Sequence, residues 1–170
     1  MVFKILFALI ISSAAVFADP APFGLQIGKA TVSTLKSKYS VQYKGINKYS
    51  QGEMYEIEAS SLSFDGLESA TAVFGASGTL QAVLCTLPKD KFQYLYGSLK
   101  KKYKLLSSNI PFVGDSSAKF VDGNTEIVLN APHMSFEMDM NYIDKGLLVK
   151  FKQQSSHEVE QKKSRESSQL

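Results

Sequence analysis

An internal repeat constrains the fold of this chain more than any other feature of the sequence. The segment Thr34-Leu35-Lys36-Ser37-Lys38-Tyr39 returns in the second half as Ser98-Leu99-Lys100-Lys101-Lys102-Tyr103. Strand-like segments follow each copy, and each half ends in an apolar segment introduced by glycine, residues 78–83 and 146–151. Because a fixed internal period marks a repeated supersecondary unit, the sequence predicts one small unit of helix and strands, duplicated and fused.

Residues 1–18 have the pattern of a secretory signal peptide. Lys4 precedes an apolar run over residues 5–16, and Val16-Phe17-Ala18 offers a cleavage site. The run is shorter than the roughly 20 apolar residues that a spanning helix needs, although an uncleaved membrane anchor is the alternative. We therefore expect a periplasmic or secreted protein that makes no membrane contact after the signal is cleaved.

The mature chain has the length of one domain. We predict a single α+β domain over residues 19–152, built of two repeats at about 23–87 and 88–152. The remaining residues, 153–170, are rich in Gln, Ser, Lys and Glu. A segment of this composition buries too little apolar surface to offset its ordering entropy, so it is predicted to be a disordered tail.

Each repeat should begin with an amphipathic helix. Val32, Leu35 and Tyr39 share one face of a helix over about residues 30–39, and a longer apolar stripe predicts a second helix from residue 89 or 90 to 105. Strands are predicted at residues 54–59, 61–64, 70–75 and 79–87, and at 118–121, 126–130, 134–142 and 147–152. Alternating strands after each helix predict an antiparallel meander, with both helices packed on one face of the sheet.

The entry Phe23-Gly24-Leu25-Gln26-Ile27-Gly28 and the helix that continues to Tyr39 carry a family resemblance. Together with the duplicated meander, they resemble the tandem-repeat fold of the β-lactamase-inhibitor-protein group; a single copy of a similar unit occurs in small outer-membrane assembly lipoproteins. The second half departs from this pattern, because Thr86-Leu87-Pro88 stands in place of the glycine-led entry. The resemblance implies a binding or scaffolding role in the cell envelope.

A methionine-rich segment gives the sharpest candidate metal site, with His133, Met134, Met138 and Met140 as ligands. Thioether and imidazole groups suit Cu(I). However, Met134, Phe136, Met138, Met140 and Tyr142 alternate with polar residues, as the core-facing side of a strand does. A regular strand would place His133 on the opposite face. Core packing is therefore the preferred interpretation, and periplasmic copper binding is the alternative.

Motifs for catalysis are absent from the sequence. It contains no Gly-rich phosphate loop, zinc-ligand spacing or nucleophile-elbow pattern. One of the two histidines, His157, lies in the predicted tail, which leaves His133 as the candidate base of a small hydrolase. The single cysteine, Cys85, lies in an apolar strand and is expected to be buried and inert. An enzyme is therefore the second alternative, and no cofactor is expected.

The charge of the chain argues against nucleic acid as a partner. The formal net charge is only +3, and Arg165 is the single arginine. Tyrosine suits interfaces because it offers apolar area with a polar tip, so the candidate partner-binding residues are Tyr43, Tyr49, Tyr55 and Tyr94. The preferred function is an exported, non-enzymatic binding or adaptor protein of the bacterial cell envelope, with a protein or peptide partner.

Overall fold

The computed structural model describes residues 19–169 as an α+β protein with an eight-stranded antiparallel sheet and three helices. The predicted signal peptide, residues 1–18, lies outside the described residues. The helices are α1 (Val32–Lys38), α2 (Phe92–Lys102) and α3 (Lys145–Ser167). The strands are β1 (Val41–Ile46), β2 (Gln51–Ile57), β3 (Ser69–Gly75), β4 (Leu80–Pro88), β5 (Lys104–Asn109), β6 (Ser116–Asp122), β7 (Thr125–Ala131) and β8 (Glu137–Asp144).

The strand order is β1-β2-β3-β4-β8-β7-β6-β5, so the two halves of the chain meet at the centre of one sheet. Strand β4 pairs with β8, and Val83 lies opposite Tyr142. Within each half, one helix is followed by four consecutive antiparallel strands. The outermost strands are β1 and β5, and each contains an irregularity in its pairing. Such bulges weaken an exposed edge as a template for further strands.

The main core contains buried side chains from the helices α1 and α2 and from the strands. In α1, Leu35 is fully buried and Val32 is partly buried; Tyr39, which directly follows the helix, is also partly buried, so all three residues of the predicted apolar face are at least partly buried. Thr31 caps this helix by accepting a hydrogen bond from the Thr34 amide at 3.2 Å. In α2, Phe92, Leu95 and Leu99 join the same buried cluster. Burial of an apolar face stabilises helices as short as these more than their intrinsic propensity does.

Alternation along the central strands produces a second, smaller core. In β4, Val83 and Cys85 belong to the main core, whereas Ala82 belongs to a separate cluster with Val73 and Leu147. Successive side chains of a strand point to opposite faces, so this second cluster lies on the other face of the sheet. The first turn of α3 covers it.

Several predicted strands are confirmed and others are wrong. Strands β2, β3, β4, β6 and β7 correspond to predictions, whereas residues 61–64 follow a short 3₁₀ turn and form no strand. The prediction missed β1 and β5, the first strand after each helix. Both are edge strands with mostly exposed side chains, so neither carries the buried alternation that identifies a strand in a sequence.

The C-terminal segment differs most from expectation. The predicted strand at residues 147–152 is wrong, because residues 145–167 form α3, and the structure likewise has helix where a disordered tail was predicted. Asp144 starts the helix: its Oδ1 accepts hydrogen bonds from the amides of Gly146 at 2.8 Å and Leu147 at 3.2 Å. Among the described helices, none is long and apolar enough to cross a membrane.

The methionine-rich strand is shorter than predicted, because β8 begins at Glu137. Met138, Met140 and Tyr142 are buried, as the alternation predicted. Met134 and Phe136 precede the strand and are almost fully exposed. The period-two pattern in the sequence therefore begins at Met134, before the residue at which the strand pairing starts.

Candidate functional site

An apolar groove lies on the second face of the sheet, between the sheet, the β1–β2 turn and α3. Its volume is about 260 Å³. The residues that line this apolar groove are Asn47, Tyr49, Val73, Ala82, Leu84, Ile143, Leu147, Leu148 and Phe151. None of these lining residues is charged. The groove is the candidate functional site of the part of the chain that the structure describes.

The floor of the groove comes from the central strands. Val73 of β3, Ala82 of β4 and Ile143 of β8 lie side by side, because Val73 pairs with Ala82 and Ala82 pairs with Ile143. Their side chains share the face opposite the main core. Alanine at the middle position leaves space that a larger side chain would fill.

One wall is the first turns of α3. Phe151 lies one turn after Leu147 and Leu148, at i+4 and i+3, so it neighbours both leucines on the helix surface. The start of the helix is fixed by Asn124 in the β6–β7 turn, whose side-chain amide donates to Asp144 Oδ2 at 2.6 Å. The cap and the turn therefore determine where these three apolar side chains meet the sheet.

The opposite wall is the β1–β2 turn. Asn47 Oδ1 accepts hydrogen bonds from the amides of Tyr49 at 2.9 Å and Ser50 at 3.0 Å, a local arrangement that favours a tight turn. The Asn47 side-chain amide lies 3.4 Å from the sulfur of Met54. The ring of Tyr49 contacts that of Phe151 edge to face, with centroids 4.9 Å apart. The turn and the helix thus close the groove at one side.

An ion pair joins the same turn to α3 further along the helix. Lys48 Nζ lies 3.1 Å from Glu158, and the hydrogen bond from Lys48 is the main reason that the pKa of Glu158 is lowered. Both side chains are about half exposed. Exposed pairs contribute little stability, so Leu147 and the Tyr49–Phe151 contact hold the helix more than this pair does.

The chemistry of the groove is that of an apolar binding site. Its one side chain with an amide, Asn47, already uses its oxygen and nitrogen inside the protein. A charged occupant would therefore lose its hydration without gaining a partner, which is costly. A cavity of about 150 Å³ is enough to hold benzene, so this groove has room for an aromatic or branched aliphatic side chain.

The predicted metal ligands occupy two different environments. Met138 and Met140 are 1% and 3% exposed and lie in the main core, whereas Met134 is 91% exposed and lies with His133 in the β7–β8 connection. Among the described residues, no three His, Cys, Asp or Glu side chains group as a metal site. The structure does not bring the four predicted ligands together, and copper binding stays a prediction.

The predicted partner-binding tyrosines are also dispersed. Tyr55 is buried in the main core. Its ring contacts that of the half-exposed Tyr43, with the ring centroids 5.6 Å apart. Tyr94 is exposed on α2. Tyr49 alone lines the apolar groove. The four residues therefore form no common surface, and only Tyr49 belongs to the candidate site.

His133, the candidate base of a hydrolase, and Cys85, the single cysteine, lie in different environments. Cys85 is buried, and desolvation raises the pKa of its thiol to about 12. His133 is exposed in the β7–β8 connection, where its backbone amide donates to Asp115. A thiol that stays protonated is not a nucleophile near neutral pH. The exposed imidazole of His133 also does not share the buried environment of this thiol.

Sequence reasoning missed most of the groove because its residues come from four separate segments. One signal was available: Asp144 precedes Leu147, Leu148 and Phe151 at the spacing of a capped helix, and helix-favouring Lys, Gln and Glu follow. Comparisons of this chain with protein-family models, with curated proteins and with solved structures give no match. The site must therefore be interpreted from its own geometry.

Proposed function

We propose that the mature chain is an exported, non-enzymatic binding or adaptor protein of the bacterial cell envelope. In this proposal the apolar groove takes up an apolar side chain from a protein or peptide partner. The observation that carries the proposal is the composition of the groove. None of its nine lining residues is charged, and the one asparagine among them, Asn47, already forms hydrogen bonds within the protein. The signal-peptide pattern of residues 1–18 supports export.

The groove suits a macromolecular partner better than a small polar substrate. Small-molecule sites combine an apolar pocket with a few placed polar groups that orient the ligand. The polar side chains of this lining are Asn47, whose oxygen already accepts two hydrogen bonds, and the Tyr49 phenol. A partner protein supplies its own orientation through contacts around the groove. The partly exposed Phe151 and Tyr49 at the rim provide aromatic area of the kind that contributes most to interfaces.

We also infer that the architecture arose by duplication of a helix-plus-meander unit, with both helices on one face of the sheet. The repeated Leu-Lys-x-Lys-Tyr segments support this, since Leu35 and Leu99 are both buried in the main core. The resemblance to the β-lactamase-inhibitor-protein group is retained as part of this proposal, at the level of topology. Duplication leaves the two halves free to diverge, and α3, which has no counterpart in the first half, then supplies the wall of the groove.

Site-directed photocrosslinking in the cell envelope tests the proposed binding site. A photoreactive phenylalanine analogue replaces Phe151 in one variant and Val159 in a matched control. Both residues lie on α3 and are 44% and 52% exposed, but only Phe151 lines the groove. We expect a discrete protein adduct from position 151 and none from position 159.

A groove-filling variant makes the test specific. Ala82→Phe places a ring in the space that the partner would occupy, and it should remove the adduct. A peptide from the captured protein should bind the purified wild-type chain at least about tenfold more tightly than the variant, since losing one buried apolar side chain costs about 1.5 kcal/mol or more. Equal adducts from both positions, or adducts that survive Ala82→Phe in a protein that circular dichroism shows to be folded, would contradict the proposal.

A further inference from the structure

Two neighbouring loops at one end of the sheet present unusually exposed apolar side chains. The β5–β6 loop contributes Ile110, Phe112 and Val113, and the β7–β8 loop contributes Met134 and Phe136; we call these five residues the apolar tip. Phe112 is as exposed as in an extended chain, and Phe136 and Met134 are 94% and 91% exposed. Single exposed apolar residues are ordinary, but five of them on two adjoining loops form a candidate interaction site.

Hydrogen bonds tie the two loops to each other and to the sheet. Asp115 Oδ1 accepts from the His133 amide at 2.7 Å, which joins the β5–β6 loop to the β7–β8 loop. The Lys89 amide donates to the Phe136 carbonyl at 2.7 Å, and Lys89 Nζ donates to the carbonyls of Pro132 and His133. These hydrogen bonds therefore hold in place the two loops that carry the apolar tip.

Backbone groups of the β7–β8 loop are partly satisfied within the protein by these bonds. Within the β7–β8 loop, the Ser135 amide donates to the Pro132 carbonyl at 3.2 Å. Pro111 and Pro132 have no amide hydrogen at all. Unsatisfied backbone groups are what makes a loop costly to place in an apolar medium. The β7–β8 loop therefore carries a reduced number of such groups, and Pro111 removes one amide from the β5–β6 loop.

Formal charge is absent from the outer residues of both loops. Residues 110–114 and 132–136 contain no Asp, Glu, Lys or Arg. The adjacent charged residues, Asp115, Glu137 and Lys89, all lie at the base of the loops. The base of the loops carries charges of both signs, and the apolar tip carries none. Electrostatic attraction to anionic lipid headgroups therefore does not contribute to binding at this surface.

We propose that the apolar tip inserts into the interfacial region of a lipid bilayer and holds the protein at the membrane surface. The tip protrudes as separate side chains, whereas a site for another protein pairs a packed patch with a complementary surface. A bilayer needs no such complementarity, and its binding scales with the apolar area that enters it. This proposal differs from the sequence-based expectation that membrane contact ends when the signal peptide is cleaved.

Tryptophan fluorescence provides a direct test, because the chain contains no tryptophan. Phe112→Trp places a single reporter in the apolar tip, and Val159→Trp places one at an exposed position on α3. The mature protein is mixed with phosphatidylcholine vesicles, and brominated lipids report depth through quenching. We expect a blue shift and quenching for the Phe112→Trp variant alone. An unchanged spectrum at position 112, or equal changes at both positions, would overturn the proposal.

Vesicle flotation with a double variant gives an independent measurement. Phe112→Ser with Phe136→Ser should lower the partition coefficient at least about tenfold, since each substitution removes the favourable free energy of transferring one aromatic side chain into the bilayer. Ile46→Ser with Val159→Ser, at two exposed apolar positions away from the tip, should leave it unchanged. Thermal unfolding confirms that each variant is folded. If the wild type does not float, or if it self-associates in sedimentation without lipid and the tip variant does not, the tip binds something other than a bilayer.

Discussion

Asp19, the residue expected to begin the mature chain, should contribute measurably to stability. Its Oδ1 accepts hydrogen bonds from the Asn124 amide at 2.6 Å and from the Thr125 hydroxyl at 3.1 Å. Asn124 in turn donates to Asp144, which caps α3. The first residue after the predicted cleavage site is thus connected, through the β6–β7 turn, to the helix that forms one wall of the apolar groove.

The expected cost of Asp19→Ala follows from the burial of its two donors. Thr125 is fully buried, so its hydroxyl loses its only partner and finds no water, which costs about 1–3 kcal/mol. The Asn124 amide lies in an exposed turn and rebonds to water, which adds little. We therefore expect a loss of about 2 kcal/mol in the free energy of unfolding. For a chain of this length, that loss lowers Tm by roughly 4–8 °C.

Urea unfolding in a double-mutant cycle checks this reasoning. Thr125→Val removes the hydroxyl but keeps the branched shape, and Asp19→Ala should cost about 1 kcal/mol less in that background than in the wild type. Asp19→Asn, which keeps an oxygen acceptor, should fall between the wild type and Asp19→Ala. If Asp19→Ala changes the unfolding free energy by less than about 0.5 kcal/mol, or by the same amount in both backgrounds, the assigned hydrogen bond does not stabilise the protein.

Two further predictions concern the sheet. Because burial raises the pKa of the Cys85 thiol to about 12, Ellman's reagent at pH 8 should label the protein only after unfolding in guanidinium, and rapid labelling of the folded protein would contradict this. Gly52→Ala should destabilise the protein by at least about 2 kcal/mol, because the new Cβ would lie 2.2 Å from the Phe74 carbonyl oxygen. In the matched control, Gly97→Ala in α2 meets nothing within 4 Å and should stabilise the protein by up to about 1 kcal/mol in the same urea titration.

Whether a strand can be predicted from the sequence depends on where that strand lies in the sheet. Strands β4, β6 and β7 contain buried residues at mostly alternate positions, and β3 ends in a continuous buried run. Both patterns exist in the sequence before any folding. Strands β1 and β5 lie at the edges, where exposed side chains are under no such constraint. Their pairing is decided by the neighbouring strand, which is information that a local window does not contain.

The apolar groove illustrates a different limit. Leu147 and Leu148 were assigned to a strand because short apolar runs fit a strand and a helix equally well. The capping carboxylate of Asp144 decided the outcome in favour of the helix. The groove itself depends on pairs distant in sequence, such as Ala82 beside Ile143 and Tyr49 beside Phe151. Such contacts follow from the strand order, which joins the two halves through β4 and β8.

The two proposed surfaces lie at opposite ends of β8, which makes them separable by experiment. The strand leaves the apolar tip at Glu137 and reaches the groove at Ile143, a span of roughly 20 Å at about 3.3 Å per residue. A protein held at a bilayer by its tip would therefore keep the groove on the water side, open to a partner. Because sites this far apart without shared contacts act independently, Ala82→Phe should leave vesicle binding unchanged. The Phe112→Ser, Phe136→Ser variant should likewise retain the affinity of the groove for its peptide, and a loss of both activities in either variant would mean that the two surfaces are one interface.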